Sequence, residues 1–399
     1  MILRSSQPSI ARRWDSFMAA WDAVVWCDPR TFECTAAGPD GKVLRRWDDP
    51  LAALDWMSGS PLSDGARWVG YLGYDLGRAV ERLPAMATDD LGLPVFAFAR
   101  VTPGPMGDRW AARPVAARAE GHRPVTSTFS RAGYESAVGR ALEYIAAGDI
   151  FQVNLSQRFA VQSPLPADEV FDRLQQSGGA HYGAVLEFED FAIVSHSPEL
   201  FLRVVRNSDG SRTVVTRPMK GTRPIAAGMD DQLRDSVKDQ AELNMIIDLE
   251  RNDLGRVCRI GSVRVAEPRT IETHPTVYQG VAAVEGTLRP GVSFVDLLRA
   301  TFPGGSITGA PKIRAMEIIE ELEPVRRGPY CGAIGYLAAD GAMDFSVAIR
   351  TMTMKDGRVY VPVGGGIVAD SEPGAEYEET LVKARAMLAA LGVSDAAIR

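Results

Sequence analysis

An α+β fold is predicted for this chain of 399 residues, on three observations. Strand-like segments with period-two alternation or β-branched runs occur in clusters. Long segments with helical periodicity separate those clusters. The two kinds do not alternate one for one, as a doubly wound α/β sheet requires.

The first hundred residues read as mixed strand and loop, with Trp68-Val69-Gly70-Tyr71-Leu72-Gly73-Tyr74 as a strand entering a tight turn. Its glycines allow close backbone approach. Residues 101–128, rich in proline, glycine, alanine and arginine, read as a surface connection. Arg131 to Gly148 follows as an amphipathic helix, its apolar stripe made by Tyr134, Val138, Leu142 and Ile145. Phe151 to Phe159 alternates like a half-buried strand, and Pro166 to Gly178 reads as a helix opened by its proline. Strands are expected at Tyr182–Glu187, Phe191–Ser195 and Leu200–Val205, with Asp209-Gly210 turning the chain into Thr213–Val215. Gln232 to Asp253 is the strongest helix of the middle region, with Glu242, Met245, Ile246 and Leu249 at helical spacing. Further helices are expected at Ser293–Ala300, Ala310–Leu322 and Glu376–Leu391. Between the last two, Ala333–Leu337, Asp344–Met354 and Val359–Val363 read as antiparallel strands. There is no internal repeat.

Hydrophobic residues at 46% and charged residues at 24% are ordinary for a soluble globular protein. A net charge of -7 argues against a broad nucleic-acid footprint. No apolar run reaches the ~18 residues of a membrane span, and no signal peptide is read at the start. Cys27, Cys34, Cys258 and Cys331 are scattered, so a cytoplasmic protein with reduced thiols is expected.

Chemistry concentrates at a few places. Asp239 and Glu242 share a face of one predicted helix, and Glu376 and Glu379 share a face of another. Two such faces can hold a magnesium ion through hard oxygen ligands, although the same spacing also describes a solvated acidic surface. Lys220, in Arg217-Pro218-Met219-Lys220-Gly221-Thr222-Arg223-Pro224, is either a solvent-exposed turn residue or, if buried, a nucleophile with a lowered pKa. Two glycine-rich segments, Phe302 to Lys312 and Val363 to Val368, read as loops able to present amides to an anion, or as tight turns; neither has phosphate-loop spacing. Arg350, on a predicted strand, suits either a bidentate carboxylate clamp or a surface ion pair. His274 and Cys258 have no sequence neighbours suggesting a dyad.

Together these segments resemble the chorismate-utilising enzymes. The resemblance is dense from Asp149 through Lys383 and runs through Ser197-Pro198-Glu199, Arg217–Pro224, Asp239–Val257, Phe302–Leu322, Gly364–Asp370 and Glu376–Lys383. Over residues 1–128 it is looser, with Gly70 to Gly73 the clearest match, so a reduced amino-terminal region and a catalytic region at 129–399 are expected within one synthase unit. The resemblance implies an α+β unit of two intertwined halves, stacked antiparallel sheets inside and helices outside. It implies magnesium-dependent chorismate binding, with Glu242 and Glu379 as direct ligands and Asp239 and Glu376 nearby or acting through water. The first acidic position is more often glutamate in relatives. Arg350 and Tyr336 are implied as partners of the enolpyruvyl carboxylate, with Thr308, Gly364, Gly365 and Gly366 lining the pocket and Lys383 adding positive charge.

Within the family the chain is most similar to the aminodeoxychorismate synthases, which carry lysine where Lys220 stands; anthranilate synthases commonly carry alanine. The implied route is attack of neutral Lys220 at C2 of chorismate, with Glu199 protonating the departing C4 hydroxyl. Ammonia then adds at C4, either free or channelled from a separate glutamine amidotransferase subunit, and a separate lyase consumes the product to give 4-aminobenzoate. Gln279 stands where many relatives have histidine, which weakens an anthranilate synthase assignment. Gln152 stands where the isochorismate branch has a water-activating lysine. The runner-up readings are C2 amination and a chorismate-binding regulatory subunit without turnover.

Overall fold

The computed structural model describes residues 2–4, 17–18, 21–63, 65–102, 124–176, 178, 181–274 and 277–394. Most of the connection expected at 101–128 lies outside them. Two antiparallel sheets face one another. The first runs, in spatial order, through Gly309–Ala310, Gln152–Gln162, Arg358–Ile367, Thr351–Lys355, Phe191–Ser197, Tyr182–Glu187, Ile2–Arg4 and Phe17–Met18, with Val125–Ser127 also on the Gln152–Gln162 strand. The second runs through Met219–Pro224, Val277–Thr287, Arg212–Arg217, Leu200–Arg206, Met343–Val347, Ala333–Ala338, Arg67–Leu72, Phe96–Val101, Trp21–Cys27, Cys34–Ala37 and Val43–Trp47. Arg264–Thr273 pairs with Val277–Thr287 beside it. The predicted α+β class is therefore the observed one.

Alternation along the strands builds three apolar layers. Between the sheets, Val69, Tyr71 and Ile334 of one meet Ala184, Leu186 and Ile193 of the other. Outside the first sheet, Val161, Val359 and Val361 are covered by the helices Ala167–Gln176 and Pro373–Ala390 through Phe171, Leu174, Ala384 and Met387. Outside the second, Val204, Val214 and Phe345 pack with Leu243 and Ile247 of the helix Val237–Gly255 and with Leu297 and Leu298 of Phe294–Thr301. Each fully buried aliphatic or aromatic side chain stabilises the packing by about 1.5–3 kcal/mol. Gly70 shows why part of the second sheet tolerates no side chain: a Cβ there would lie 2.0 Å from the Ala97 carbonyl oxygen. Among the described residues, no helix is long and apolar enough to cross a membrane.

Capping sets several predicted helices in place. Ser130 accepts from the Gly133 amide at 3.1 Å at the start of Arg131–Ala146. Ser293 and Asp296 form a reciprocal capping box, with bonds of 3.1 and 2.9 Å. The single helix expected over Gln232–Asp253 is instead two, Met229–Asp235 and Val237–Gly255. Ser236 breaks the run by taking extended backbone angles and capping the second helix, accepting from the Asp239 amide at 3.2 Å.

The strand expected over Asp344–Met354 is likewise two, and they belong to different sheets. The chain crosses at Arg350, whose φ of 50° is uncommon for a residue with a Cβ. A second crossing, at Pro198-Glu199, links Phe191–Ser197 of the first sheet to Leu200–Arg206 of the second. The two crossings are tied together. Val347 donates its amide to the Glu199 carbonyl at 3.0 Å, and His196 donates its amide to that of Arg350 at 3.0 Å.

Candidate active site

The paired crossovers bring Glu199 and Arg350 to the same region between the sheets, and other elements supply the walls. Lys220 lies on Met219–Pro224, in a strand rather than the turn expected from its sequence. The register shifts between Lys220 and Thr222, where Gly221 adopts a φ of 80°. This bulge turns the lysine inward. Its amine reaches the first sheet, where a Cβ on Gly366 would lie 3.4 Å from Lys220 Nζ and 2.4 Å from Gln152 Nε2. Burial lowers the lysine pKa, while Glu242 and Glu199 pull it back up.

Glu199 is 4% exposed, and burial raises its pKa to about 7 against the opposing influence of Ser306 and Lys220. Ser306 donates to Oε1 at 2.6 Å. At neutral pH a substantial fraction of Glu199 therefore carries a proton, as a general acid requires. Ser306 was missed from sequence, although it lies two residues before Thr308 in the glycine-rich segment. Thr308 is fully buried, and its hydroxyl donates to the Gly304 carbonyl at 2.9 Å, closing the turn.

The second glycine-rich segment is not a loop. Gly364, Gly365 and Gly366 pair with Ser156, Leu155 and Asn154 inside the strand Arg358–Ile367. On its other side, among the described residues, that strand is paired only through Arg358–Tyr360. Backbone groups alternate in direction along an antiparallel strand, so beyond Tyr360 half of them face an open edge. The pocket lining expected of these amides is thus confined to that edge.

Carboxylates from two helices approach the same edge. A Cβ on Gly365 would lie 3.2 Å from Glu376 Oε2, 3.7 Å from Glu379 Oε1 and 3.7 Å from Lys383 Nζ. Lys383 pairs with Glu379 at 2.6 Å and donates to the Gly364 carbonyl at 2.8 Å. Burial would raise the Glu379 pKa, but Lys383, Lys220 and Lys238 together hold it below its ordinary value. Burial raises Glu376, which accepts from the Ser371 hydroxyl at 2.6 Å. From Val237–Gly255, Glu242 is raised by burial and feels Lys220, Asp239 and Glu379. Asp239 pairs with Arg223 at 3.0 Å. Lys238, unremarked in the sequence, adds positive charge near Glu242, Glu376 and Glu379.

Arg350 donates to the Lys383 carbonyl at 2.7 Å, and burial lowers its pKa. Tyr336 does not join it. Register places Tyr336 opposite Asp344, inside the strand Met343–Val347, whereas Arg350 lies beyond the end of that strand. The Arg67 guanidinium instead lies 4.5 Å from the Tyr336 ring centroid. The tyrosine in electrostatic reach of Arg350 is Tyr330, held there because Cys331 donates its amide to the Ala348 carbonyl at 2.9 Å. The sequence signal was available in principle: Tyr330 directly precedes the segment that pairs with the Arg350 crossover.

The arrangement gathers the Lys220 amine, the protonatable Glu199, a carboxylate cluster with Lys383 and Lys238, and Arg350. Gln152 stands beside the amine, and its Oε1 has no hydrogen-bond partner among the described residues. Gln279 lies opposite Thr222, next to Gly280, which pairs with Lys220.

Known proteins resemble this chain in sequence and fold. The family model for chorismate binding enzymes matches residues 111–389. Anthranilate synthase component 1 of Thermus thermophilus is 43% identical over 369 residues, covering 83% of this chain and 78% of the relative. Aminodeoxychorismate synthase component 1 of Klebsiella aerogenes is 42% identical over 356 residues, covering 82% and 77%. The crystal structure of anthranilate synthase component I from Streptococcus pneumoniae superposes with a TM-score of 0.80 at 29% identity, covering 96% of this chain and 93% of that one. The menaquinone-specific isochorismate synthase of Escherichia coli, at 18% identity and a TM-score of 0.70, shares the fold. On the extent of the family match and these identities, the chain belongs to the chorismate binding enzymes.

Proposed function

We propose that this chain is the synthase component of an aminodeoxychorismate synthase, replacing the C4 hydroxyl of chorismate with an amino group. The carrying observation is Lys220, its pKa lowered by burial, between the protonatable Glu199 and the open strand edge at Gly366. A neutral amine there has the lone pair that covalent catalysis needs.

In the first half-reaction Lys220 Nζ bonds to C2, the ring double bond shifts, and the C4–oxygen bond breaks. Glu199 gives its proton to the leaving hydroxyl, which departs as water. Ammonia then bonds to C4, the double bond shifts back, and the C2–Nζ bond breaks to return the lysine. The ammonium proton lost on addition restores Glu199. The net change is one ammonia consumed and one water released. Two allylic displacements replace one direct displacement at C4.

Arg350 and, beside it, Tyr330 are suited to the enolpyruvyl carboxylate, since a guanidinium matches a carboxylate in two hydrogen bonds. The donor set fits magnesium: Glu242, Glu376, Glu379 and Asp239 offer only hard oxygens, and the absence of a side chain at Gly365 leaves room against two of them. Lys383 and Arg223 now occupy some of those oxygens and would have to yield them. Bound magnesium would supply countercharge to the ring carboxylate. Ammonia would come from a separate glutamine amidotransferase subunit, and a lyase would act on the product.

The relative from Thermus thermophilus favours a second reading, C2 amination to anthranilate with loss of pyruvate. Incubation with chorismate, magnesium and ammonium, with and without an aminodeoxychorismate lyase, separates the two. Lyase-dependent 4-aminobenzoate is expected. Fluorescent anthranilate formed without the lyase would replace this assignment with the second.

A further inference from the structure

Away from the candidate active site, one group of side chains has no part in this chemistry. His181 immediately precedes the strand Tyr182–Glu187 of the first sheet, whereas Glu272 lies near the end of Arg264–Thr273 in the second and His274 immediately follows it. One ligand-type atom from each of the three lies within 4.8 Å of the other two. Both imidazoles are buried, at 7% and 8% exposure, with ring centroids 4.8 Å apart and planes inclined by 41°. His274 Nε2 stands 3.7 Å from Glu272 Oε2. Among the described residues this is the one such group, and the acidic set at the candidate active site is not as tightly gathered.

We propose that His181, Glu272 and His274 form a site for a late first-row divalent ion of the zinc class. Ligand bonds of about 2.0–2.2 Å in a tetrahedral site place donor atoms about 3.3–3.5 Å apart. The His274–Glu272 edge of 3.7 Å is already close to that value, and the remaining edges, all within 4.8 Å, close by side-chain rotation toward the ion. Two imidazoles and one carboxylate select zinc, cobalt or nickel over magnesium, which prefers an all-oxygen shell. The carboxylate is held from behind: Arg217 donates to Glu272 Oε1 at 2.8 Å, which leaves Oε2 as the atom beside His274. Arg217 also pairs with Glu267 at 2.7 Å, so its positive charge is shared with a second carboxylate and opposes a cation less. Such outer partners orient a ligand and tune its affinity.

The location gives the ion a structural consequence. It would clip the residue leading into a strand of one sheet to a hairpin of the other. Within that hairpin, Glu272 pairs with Gln279, which in turn pairs with Thr222 beside Lys220. Arg217 begins the segment leading to Lys220. Occupancy therefore stiffens the wall that carries the lysine without touching it.

The test uses the full chain, stripped with chelator and titrated with cobalt(II) in excess magnesium, read by visible ligand-field absorption. One cobalt per chain is expected, displaced by zinc, with zinc also raising the thermal unfolding midpoint. His181→Ala and His274→Ala should each weaken binding by more than the roughly 10–100-fold typical of losing an outer partner. Glu272→Gln should weaken it less. Circular dichroism checks folding, and His181→Asn, smaller in its packing change, replaces any variant that fails. No stoichiometric cobalt signal, or a signal unchanged in the folded histidine variants, overturns the site; in the latter case the ion lies elsewhere.

Discussion

Lys220 and Lys383 face the same strand edge from opposite walls, against adjacent glycines, yet their surroundings differ. Lys383 rides on the helix Pro373–Ala390, one turn beyond Glu379, and spends its charge on that carboxylate and on the Gly364 carbonyl. Lys220 projects from a bulged strand, has no ion pair among the described residues, and is pushed toward its neutral form by burial. An ammonium held by a partner is a fixed positive charge. An amine without one is available as a nucleophile. Partner geometry, rather than residue type, separates the two lysines.

The sharpest way to break the comparison is Lys220→Ala. With the amine gone, C4 amination measured in the lyase-coupled assay should fall on the order of 10⁴-fold or more, as loss of a nucleophile does elsewhere. Chorismate binding should survive. Unchanged turnover would leave the two lysines equivalent. Glu199→Gln removes the acid that Lys220 needs but Lys383 does not, at a cost of roughly 10²–10⁴-fold in kcat. In the wild type, rate falls as pH rises through about 7, because Glu199 loses its proton. Deprotonation of Lys220 acts in the opposite sense, because the amine gains its lone pair as pH rises. The limb near pH 7 should vanish in Glu199→Gln; its persistence would assign that limb to another group.

Gly366→Ala probes the shared edge, since the added Cβ would meet Gln152 Nε2 at 2.4 Å and crowd Lys220 Nζ. Overpacking of this kind costs about 1–3 kcal/mol. Turnover should drop more than thermal stability does, and an enzyme of normal rate would show that the lysine approaches from elsewhere. Lys383→Met should have the smallest effect, raising KM for chorismate about tenfold, near 1.4 kcal/mol, with kcat little altered. A collapse of kcat there would move Lys383 into the role given to Lys220.

Much of this was legible in the sequence because it is local. Ser130 and Ser293 announce helix starts, and the three-residue spacing of Asp239/Glu242 and Glu376/Glu379 assigns each pair a helix face. The errors arose where two locally acceptable structures compete. Ser236 suits a helix interior poorly but a cap well, so one helix became two. Apolar alternation through Asp344–Met354 has no mark of the sheet change at Arg350, because both halves bury one face. Tyr336 sits on the same strand pattern as Tyr330's neighbours, and only register shows which tyrosine meets Arg350.

The sequence by itself determined the α+β class, the family, the acidic helix faces and the presence of a lysine at position 220. Each depends on residue types at short spacing, which helix and strand geometry convert directly into faces. The tertiary structure decided that the two crossovers bring Glu199 and Arg350 together, that the glycine run is an open strand edge, and that burial lowers the Lys220 pKa. These depend on pairings between segments far apart in the chain. A period-two pattern specifies which face is buried but not which strand will lie beside it, and the electrostatic environment of a side chain is set only once that neighbour is in place.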